Sequence, residues 1–457
     1  MALDKLREEC GVFGVCVKVL EGAGITYNGL LALQHRGQEA AGIAVLSRSA
    51  IKCIKRNGLV NEVFSDQNLK SLPPSGLAIG HTRYSSESYG RSTNAQPFVT
   101  EYLKGRVATA NNGNITNILE IREMLMSHGM DYMGASDSRV LSALVAFEAL
   151  ESGDAQAGVI NAAKKLKGAF SLIVMSCDNK LIAVRDPYGY RPLCIGKNEW
   201  GYAVSSESCA LDSADFSFVR DVAPGEMVVF QNGKIIHESK PLSAKKCGVC
   251  IFEFVYFARP DSVLDGLSVY DARYNMGAAL AKEHPADADC VVGVPDSGIE
   301  AAFGFAAASN LPLVPGFVKN RYIGRSFIFP TQSQRESAVR IKLNPLSANV
   351  AGKSIVLVDD SIVRGTTSGK IIRSLRESGA KAVHLRISSP PFRYACYYGT
   401  DIASADDLIA NRMSIEGIRQ KLGADSLGYI SVAGLVEACK KCRLSFCTGC
   451  FSGEYPG

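Results

Sequence analysis

Several absences narrow the class of this chain before any motif is read. In 457 residues no apolar run approaches the ~18–20 needed to cross a bilayer. The opening MALDKLREE has no apolar core and is slightly acidic, unlike a secretory signal. We therefore expect a cytoplasmic protein with no membrane partner. No concentrated run of Lys and Arg occurs and the formal charge is only +5, so no surface for nucleic acid is expected. There are no internal repeats and no low-complexity tract. A Walker-type nucleotide loop is also missing, because no Gly-x4-Gly-Lys-Ser/Thr spacing is present.

What remains is an ordinary globular composition, long enough for two or three domains. Fourteen cysteines in a reducing compartment are not a disulfide framework, so some are expected to be chemical or metal-binding. The first half is a succession of short apolar strands such as GVFGVCV, GLAIG, FSLIVMS and EMVVF. Two helical patterns, ILEIREMLMSH and SRVLSALVAFEALES, interrupt them. This predicts an α+β sheet sandwich covered by helices. The second half alternates apolar strands with amphipathic helices, the signature of a parallel α/β sheet. The style changes around 236–250, where HESKPLSAKKC is polar and holds Pro241. The boundaries expected are 10–235 for the first domain, 236–249 for the junction and 250–457 for the second domain with its cysteine-rich tail.

SIVLVDDSIVRGTTSGKIIRSLRESG is the most specific stretch. Ile355 to Val358 form a buried strand with Asp359 and Asp360 at its carboxyl end. Gly365, Thr366, Thr367, Ser368 and Gly369 make a small turn, and a helix is expected from about Lys370. Backbone N–H groups, hydroxyls and a helix N-terminus then converge on one point, which suits a phosphate. The acidic pair beside it suits Mg²⁺ or sugar hydroxyls.

This segment resembles the phosphoribosyl-pyrophosphate loop of type I phosphoribosyltransferases. The resemblance implies that Arg364 through Gly369 hold the 5′-phosphate, and that Asp359, Asp360 and Ser297 lie near one Mg²⁺ per subunit. VVGVPDSGIEAA is similar to the pyrophosphate-side loop of that family. KNRYIGRSFIFPTQSQRE is similar to its closing flap, which brings Lys319, Arg321, Arg325 and Arg335 to the substrate.

In the first half, CGVFGV, LLALQHRGQEAAGIAV, GHTRYSS, NNGNITN and ASDSRVL follow one another in the order found in class II glutamine amidotransferases. Both halves together resemble the amidophosphoribosyltransferase family over almost the whole chain. The fold implied is a four-layer N-terminal-nucleophile hydrolase sandwich followed by a type I phosphoribosyltransferase domain. The reaction implied moves nitrogen from glutamine to phosphoribosyl pyrophosphate and begins purine synthesis. Cys10 would become the first residue after removal of a propeptide, 1–9. A thiol is a weak nucleophile until a base takes its proton, and a free α-amine on the same residue can do so. Asn112 and Gly113 would form the oxyanion hole. Arg83 would bind the substrate α-carboxylate, Asp137 its α-ammonium, and Arg36 and Gly37 would lie in the loop closing over it. Asn111 stands where the family usually has His, and Ser138 and Arg139 also depart from its pattern. Purine nucleotides as feedback inhibitors and a homotetramer are further implications. Another class II amidotransferase would lack the phosphoribosyl loop, and a nucleotide-sensing repressor would need a DNA-binding module that is not visible.

The tail holds Cys439-x-x-Cys442 and Cys447-x-x-Cys450, and Cys247-x-x-Cys250 sits at the junction. Spacing alone permits structural zinc or an iron–sulfur cluster. One branch of the resembled family carries a [4Fe–4S] cluster. Its ligand frames match CIFEFVYFARPDS, YACYYG and CTGC, which implies Cys250, Cys396, Cys447 and Cys450, one cluster per subunit. Cys247, Cys439 and Cys442 are left as extras.

Overall fold

A computed structural model describes residues 10–84, 94–130, 132, 135–320, 343–400 and 404–456. The expected propeptide 1–9 and the flap residues Arg321, Arg325 and Arg335 lie outside the described residues.

GVFGVCV is apolar at consecutive positions because it is buried on both faces. It forms the strand Gly11–Val17, antiparallel to Leu77–Arg83 on one side and Gly201–Ser205 on the other. Val12 and Cys16 enter a core shared with a second sheet; Phe13, Val15 and Val17 enter a core under the helix Gly22–Ala32. The sheet runs Ser217–Asp221, Cys194–Lys197, Gly201–Ser205, Gly11–Val17, Leu77–Arg83, Ala40–Ser47, Ala50–Asn57. The second sheet runs Lys234–Ser239, Met227–Gln231, Lys180–Arg185, Ser171–Ser176, Gly105–Asn112, Phe98–Tyr102. Helices Ile118–Ser127, Asp137–Ser152 and Ala155–Lys165 bury its outer face on Val107, Leu172, Val174 and Ile182. Four layers result, as expected.

Two of these helices, Gly22–Ala32 and Ala155–Lys165, were not legible in the sequence. The first carries three glycines that weaken a helical pattern. Gly29 is there for contact: a Cβ on it would lie 2.5 Å from the Phe13 ring. The expected junction also begins too early. Lys234–Ser239 is the edge strand paired with Met227–Gln231. Its side chains alternate between exposed and half-buried, so it reads as polar linker.

The second domain is built on four parallel strands in the order Cys290–Gly293, Ser354–Asp359, Ala382–Ile387, Ser426–Tyr429. Val356 and Val358 face a core shared with helices Val269–Glu283 and Ile299–Ser309; Ile355 and Leu357 face one shared with Thr366–Glu377 and Ile415–Leu422. The apolar segment LPLVPGFV gives only a bridge from Leu313 to Val291 and a short strand Phe317–Lys319 paired with Leu343–Pro345. Pro312 and Pro315 remove the N–H groups a longer ladder needs. Val249–Cys250 pairs in parallel with Phe446–Cys447, tying the start of this domain to its tail.

Candidate active sites

Cys10 stands at the mouth of the central strand of the first sheet. Its Sγ is 3.5 Å from the Tyr84 carbonyl oxygen, and its own carbonyl accepts from Arg36 Nε at 3.1 Å. In the neighbouring strand of the same sheet, His81 is level with Val12, and its Nε2 reaches across the sandwich to 3.1 Å from the Asn111 carbonyl oxygen. Asn112, the next residue, ends the strand Gly105–Asn112. Its side chain is fully buried, and neither Oδ1 nor Nδ2 has a hydrogen-bond partner. A buried amide without partners is costly unless a ligand completes it. Gly113 has φ +126°, and a Cβ there would sit 2.2 Å from the Ala169 carbonyl oxygen.

Gln96 fixes this strand end in a way the sequence did not reveal. Its side-chain amide replaces a neighbouring strand: Oε1 accepts from Asn111 N at 2.9 Å, and Nε2 donates to Asn111 O at 3.3 Å. Burial, aided by the charge of Arg83, pushes His81 down to about 3, so this link between the sheets is neutral.

Arg83 ends its strand next to Tyr84, and its guanidinium donates to Asn94 O at 2.7 Å. A Cβ on Gly37 would meet the Thr82–Arg83 backbone at 2.6 Å, so this loop packs directly under Arg83. Asp137 opens the helix Asp137–Ser152 and lies 3.6 Å from Arg122. Arg36 corrects the sequence expectation. It does not line a closing substrate loop; it is fully buried beneath Cys10, between Glu207 and Glu253. Burial alone would lower its pKa, but the two carboxylates outweigh that and hold it charged. Glu207 is held well below the usual carboxylate range, His35 and Arg36 overcoming its burial. Neither acid was singled out in the sequence. Glu253 did leave a signal, as an acid inside the apolar run CIFEFVYF.

At the second site Asp359 and Asp360 are almost fully buried at the end of their strand. Ser297 Oγ donates to Asp360 Oδ1 and Ser361 Oγ to Oδ2, each at 2.5 Å. The pyrophosphate-side loop thus meets the acidic pair. Gly365 caps the following helix with φ +83°. That helix begins at Thr366, not near Lys370, so Thr366 to Gly369 form its first turn; Gly369 N already donates to Gly365 O at 3.1 Å, while the N–H groups before it lie ahead of the helix's own ladder of bonds. Arg364 pairs with Asp407 at 3.0 Å, and Lys319 pairs with Asp296.

Cys250, Cys396, Cys447 and Cys450 converge from three distant segments. Cys250 is level with Cys447 across paired strands, and Cys450 feels the charges of Cys250, Cys396 and Cys447. Burial raises the thiols of Cys250 and Cys450 and takes Cys447 to about 11. Tyr398 N donates to Cys396 Sγ at 3.4 Å. Among the described residues no three His, Cys, Asp or Glu side chains are grouped tightly enough for a single metal ion. Cys439 is buried and next to Cys442, apart from these four.

The chain matches the glutamine amidotransferase domain family over residues 81–213 and the phosphoribosyl transferase domain family over 268–389. It is a glutamine amidotransferase joined to a phosphoribosyltransferase. Its relatives make the class narrower. The amidophosphoribosyltransferase of Methanocaldococcus jannaschii is 45% identical, over 98% of this chain and 97% of that protein. The chloroplastic amidophosphoribosyltransferase 1 of Arabidopsis thaliana is 44% identical, over 99% of this chain and 79% of its own. The solved glutamine phosphoribosylpyrophosphate amidotransferase of B. subtilis, complexed with ADP and GMP, superposes with a TM-score of 0.89 at 41% identity, covering 98% of this chain and 97% of that one. The chain belongs to the amidophosphoribosyltransferase family.

Proposed function

We propose that the first domain hydrolyses glutamine at Cys10 and the second joins the released ammonia to phosphoribosyl pyrophosphate. The products are glutamate, pyrophosphate and 5-phosphoribosylamine, at the first step of purine synthesis. The observation that carries this reading is the buried, unpartnered Asn112 amide at the end of the strand that His81 ties to the sheet of Cys10.

With residues 1–9 removed, the α-amine of Cys10 takes the thiol proton, and Sγ attacks the side-chain amide carbon of glutamine. Asn112 Nδ2 and Gly113 N donate to the oxygen that gains charge, each donor being worth about 2.7–4 kcal/mol. The proton passes to the leaving nitrogen, ammonia departs, and water then cleaves the thioester to glutamate. Arg83 holds the α-carboxylate of the substrate and Asp137 its ammonium. Gly37 supports Arg83 from below.

In the second domain, the N–H groups from Gly365 to Ser368, with Arg364 and the close backbone approach that Gly369 allows, bind the 5′-phosphate. Asp359 and Asp360 face the ribose. Ammonia attacks the anomeric carbon as pyrophosphate leaves, and the new C–N bond gives up a proton. Lys319 and Arg325 bring positive charge to the pyrophosphate. Two buried carboxylates with Ser297 fit one Mg²⁺, which takes few protein carboxylates and completes its shell with water and phosphate oxygens. When bound it supplies charge that stabilises the leaving pyrophosphate.

Cys250, Cys396, Cys447 and Cys450 would hold a [4Fe–4S] cluster, one thiolate to each iron, and the mutual proximity of the four thiols supports that reading. Such a cluster would staple the junction, the sheet end and the tail, so its binding energy becomes folding energy. The same reading extends to purine-nucleotide inhibition, a homotetramer and a cytoplasmic setting. The B. subtilis relative was solved with ADP and GMP.

The test is pyrophosphate release from Cys10→Ala protein. Glutamine should no longer drive it, while added ammonia should. Intact mass of wild type should show residues 1–9 gone, and anaerobically purified protein should contain iron and inorganic sulfide. Glutamine-driven turnover in Cys10→Ala, or full activity with Met1 attached, would overturn the assignment. Zinc without iron would overturn the cluster.

A further inference from the structure

The nucleophile is oriented from the other domain. Arg36 donates through Nε to the Cys10 carbonyl at 3.1 Å, and its remaining N–H groups are taken up by carboxylates. One terminal nitrogen donates to Glu207 at 2.5 Å and to Glu253 at 3.0 Å; the other donates to both oxygens of Glu253, at 2.9 and 3.0 Å. All three side chains are fully shielded from water. Glu207 belongs to the first domain. Glu253 begins a π-helical turn, Glu253–Phe257, at the start of the second. That turn is braced by Arg273, which donates to the carbonyls of Phe254, Tyr256 and Ala258. Arg191 holds Glu253 from the opposite side at 3.2 Å, and also donates to Tyr398 O at 2.8 Å.

We infer that Glu253 is a positioning residue for the glutaminase reaction. It lends the nucleophile's domain a fixed anion that sets the plane of Arg36. Arg36 in turn fixes the Cys10 carbonyl, and so the directions of its thiol and amine. A guanidinium held through two N–H groups by one carboxylate cannot rotate about its stem. Regular pairing of the central strand with Leu77–Arg83 begins at Gly11, and Arg36 holds the carbonyl of Cys10 just before it. A misplacement of about 1 Å in a reacting group costs on the order of 10²-fold. Glu253 is continuous with the segment packed on helix Val269–Glu283, so the Arg36–Glu253 pair links that helix to the Cys10 carbonyl.

This inference rests on Cys10 as the nucleophile, and the experiment separates the two. Glu253→Gln keeps the shape and removes the charge. The glutamine-driven kcat should fall 10- to 100-fold, with KM for glutamine within threefold, because Arg83 is untouched. Ammonia-driven synthesis should stay within twofold. Alkylation of Cys10 by iodoacetamide should slow by a factor similar to the loss in kcat, and Glu253→Asp should restore part of it. Full glutamine-driven kcat in E253Q, or equal losses with glutamine and ammonia, would overturn the inference. If E253Q does not fold, Arg36→Lys should give the same split between nitrogen donors, and its failure to do so would be equally decisive. Glutamine-driven activity in Cys10→Ala would instead sink the nucleophile itself.

Discussion

Replacing Gly113 by Ala tests the oxyanion hole through its geometry. The added Cβ would lie 2.2 Å from Ala169 O, 2.7 Å from Ala169 C and 3.1 Å from Phe170 N. These are backbone atoms, and they cannot turn aside as a side chain could. Ala169 N donates to Asn114 O at 3.0 Å, and Phe170 O accepts from Asp186 N at 2.9 Å, so the opposing wall is pinned. Gly113 must therefore move by roughly 1 Å to reach ordinary contact, and φ +126° is itself unfavourable for alanine, costing about 1–3 kcal/mol. A donor has to lie at about 2.7–3.1 Å from the oxyanion, so a shift of this size removes most of its contribution. The expected loss in glutamine-driven kcat is 10²–10³-fold, equivalent to about 2.7–4 kcal/mol. Ammonia-driven synthesis, measured in the same preparation by pyrophosphate release, should be unchanged. A Gly113→Ala protein whose glutamine-driven kcat is within threefold of wild type would refute the placement of the oxyanion hole.

Gly365→Ala should raise the KM for phosphoribosyl pyrophosphate about tenfold in the ammonia-driven assay. Its φ is +83°, and a Cβ would press on Ile409 Cδ1 at 2.8 Å, displacing the first helical turn; an unchanged KM would remove Gly365 from the phosphate site. His81, pushed down to about 3 by burial and by Arg83, binds its proton more readily in the unfolded chain, where its pKa is about 6.5. Stability is therefore complete above pH 6.5 and is lost as pH falls toward 3, by about 2 kcal/mol at pH 5. Asp186 and Asp221, raised to about 6 by burial, act with the opposite sign, so the measurement is a difference. Urea unfolding of His81→Gln should lack this acid-side loss relative to wild type, and parallel curves for the two proteins would contradict it.

The chemistry-bearing ends of elements were legible because they break local patterns. Two acids closing an apolar strand have no packing reason to be there, whereas a cysteine before GVFGV could open any core strand and was singled out by the family resemblance. A sheet sandwich covered by helices and a parallel sheet were also readable, since strands buried on both faces and amphipathic helices leave different spacings; the four-layer form was implied by the family resemblance. What could not be read was partnership across distance. Arg36 looks in sequence like any arginine of a polar loop, and only folding places it between Glu207 and Glu253. Gln96 acting as a substitute strand for Asn111 leaves no periodic trace. The edge strand Lys234–Ser239 was missed because one wet face gives it the composition of a linker. Helix Gly22–Ala32 was missed because its glycine serves a contact with Phe13, not its own propensity.

The pairing of Val249–Cys250 with Phe446–Cys447 sets a clock on biogenesis. Nearly two hundred residues separate the two cysteines, so at ~5–20 residues per second the earlier one waits roughly 10–40 s for its partner to be translated. Throughout that interval the growing polypeptide carries an incomplete thiol nest and an unpaired strand edge. Closure of this pair therefore cannot precede translation of Phe446–Cys447, and a chain cut before Phe446 would lack it altogether.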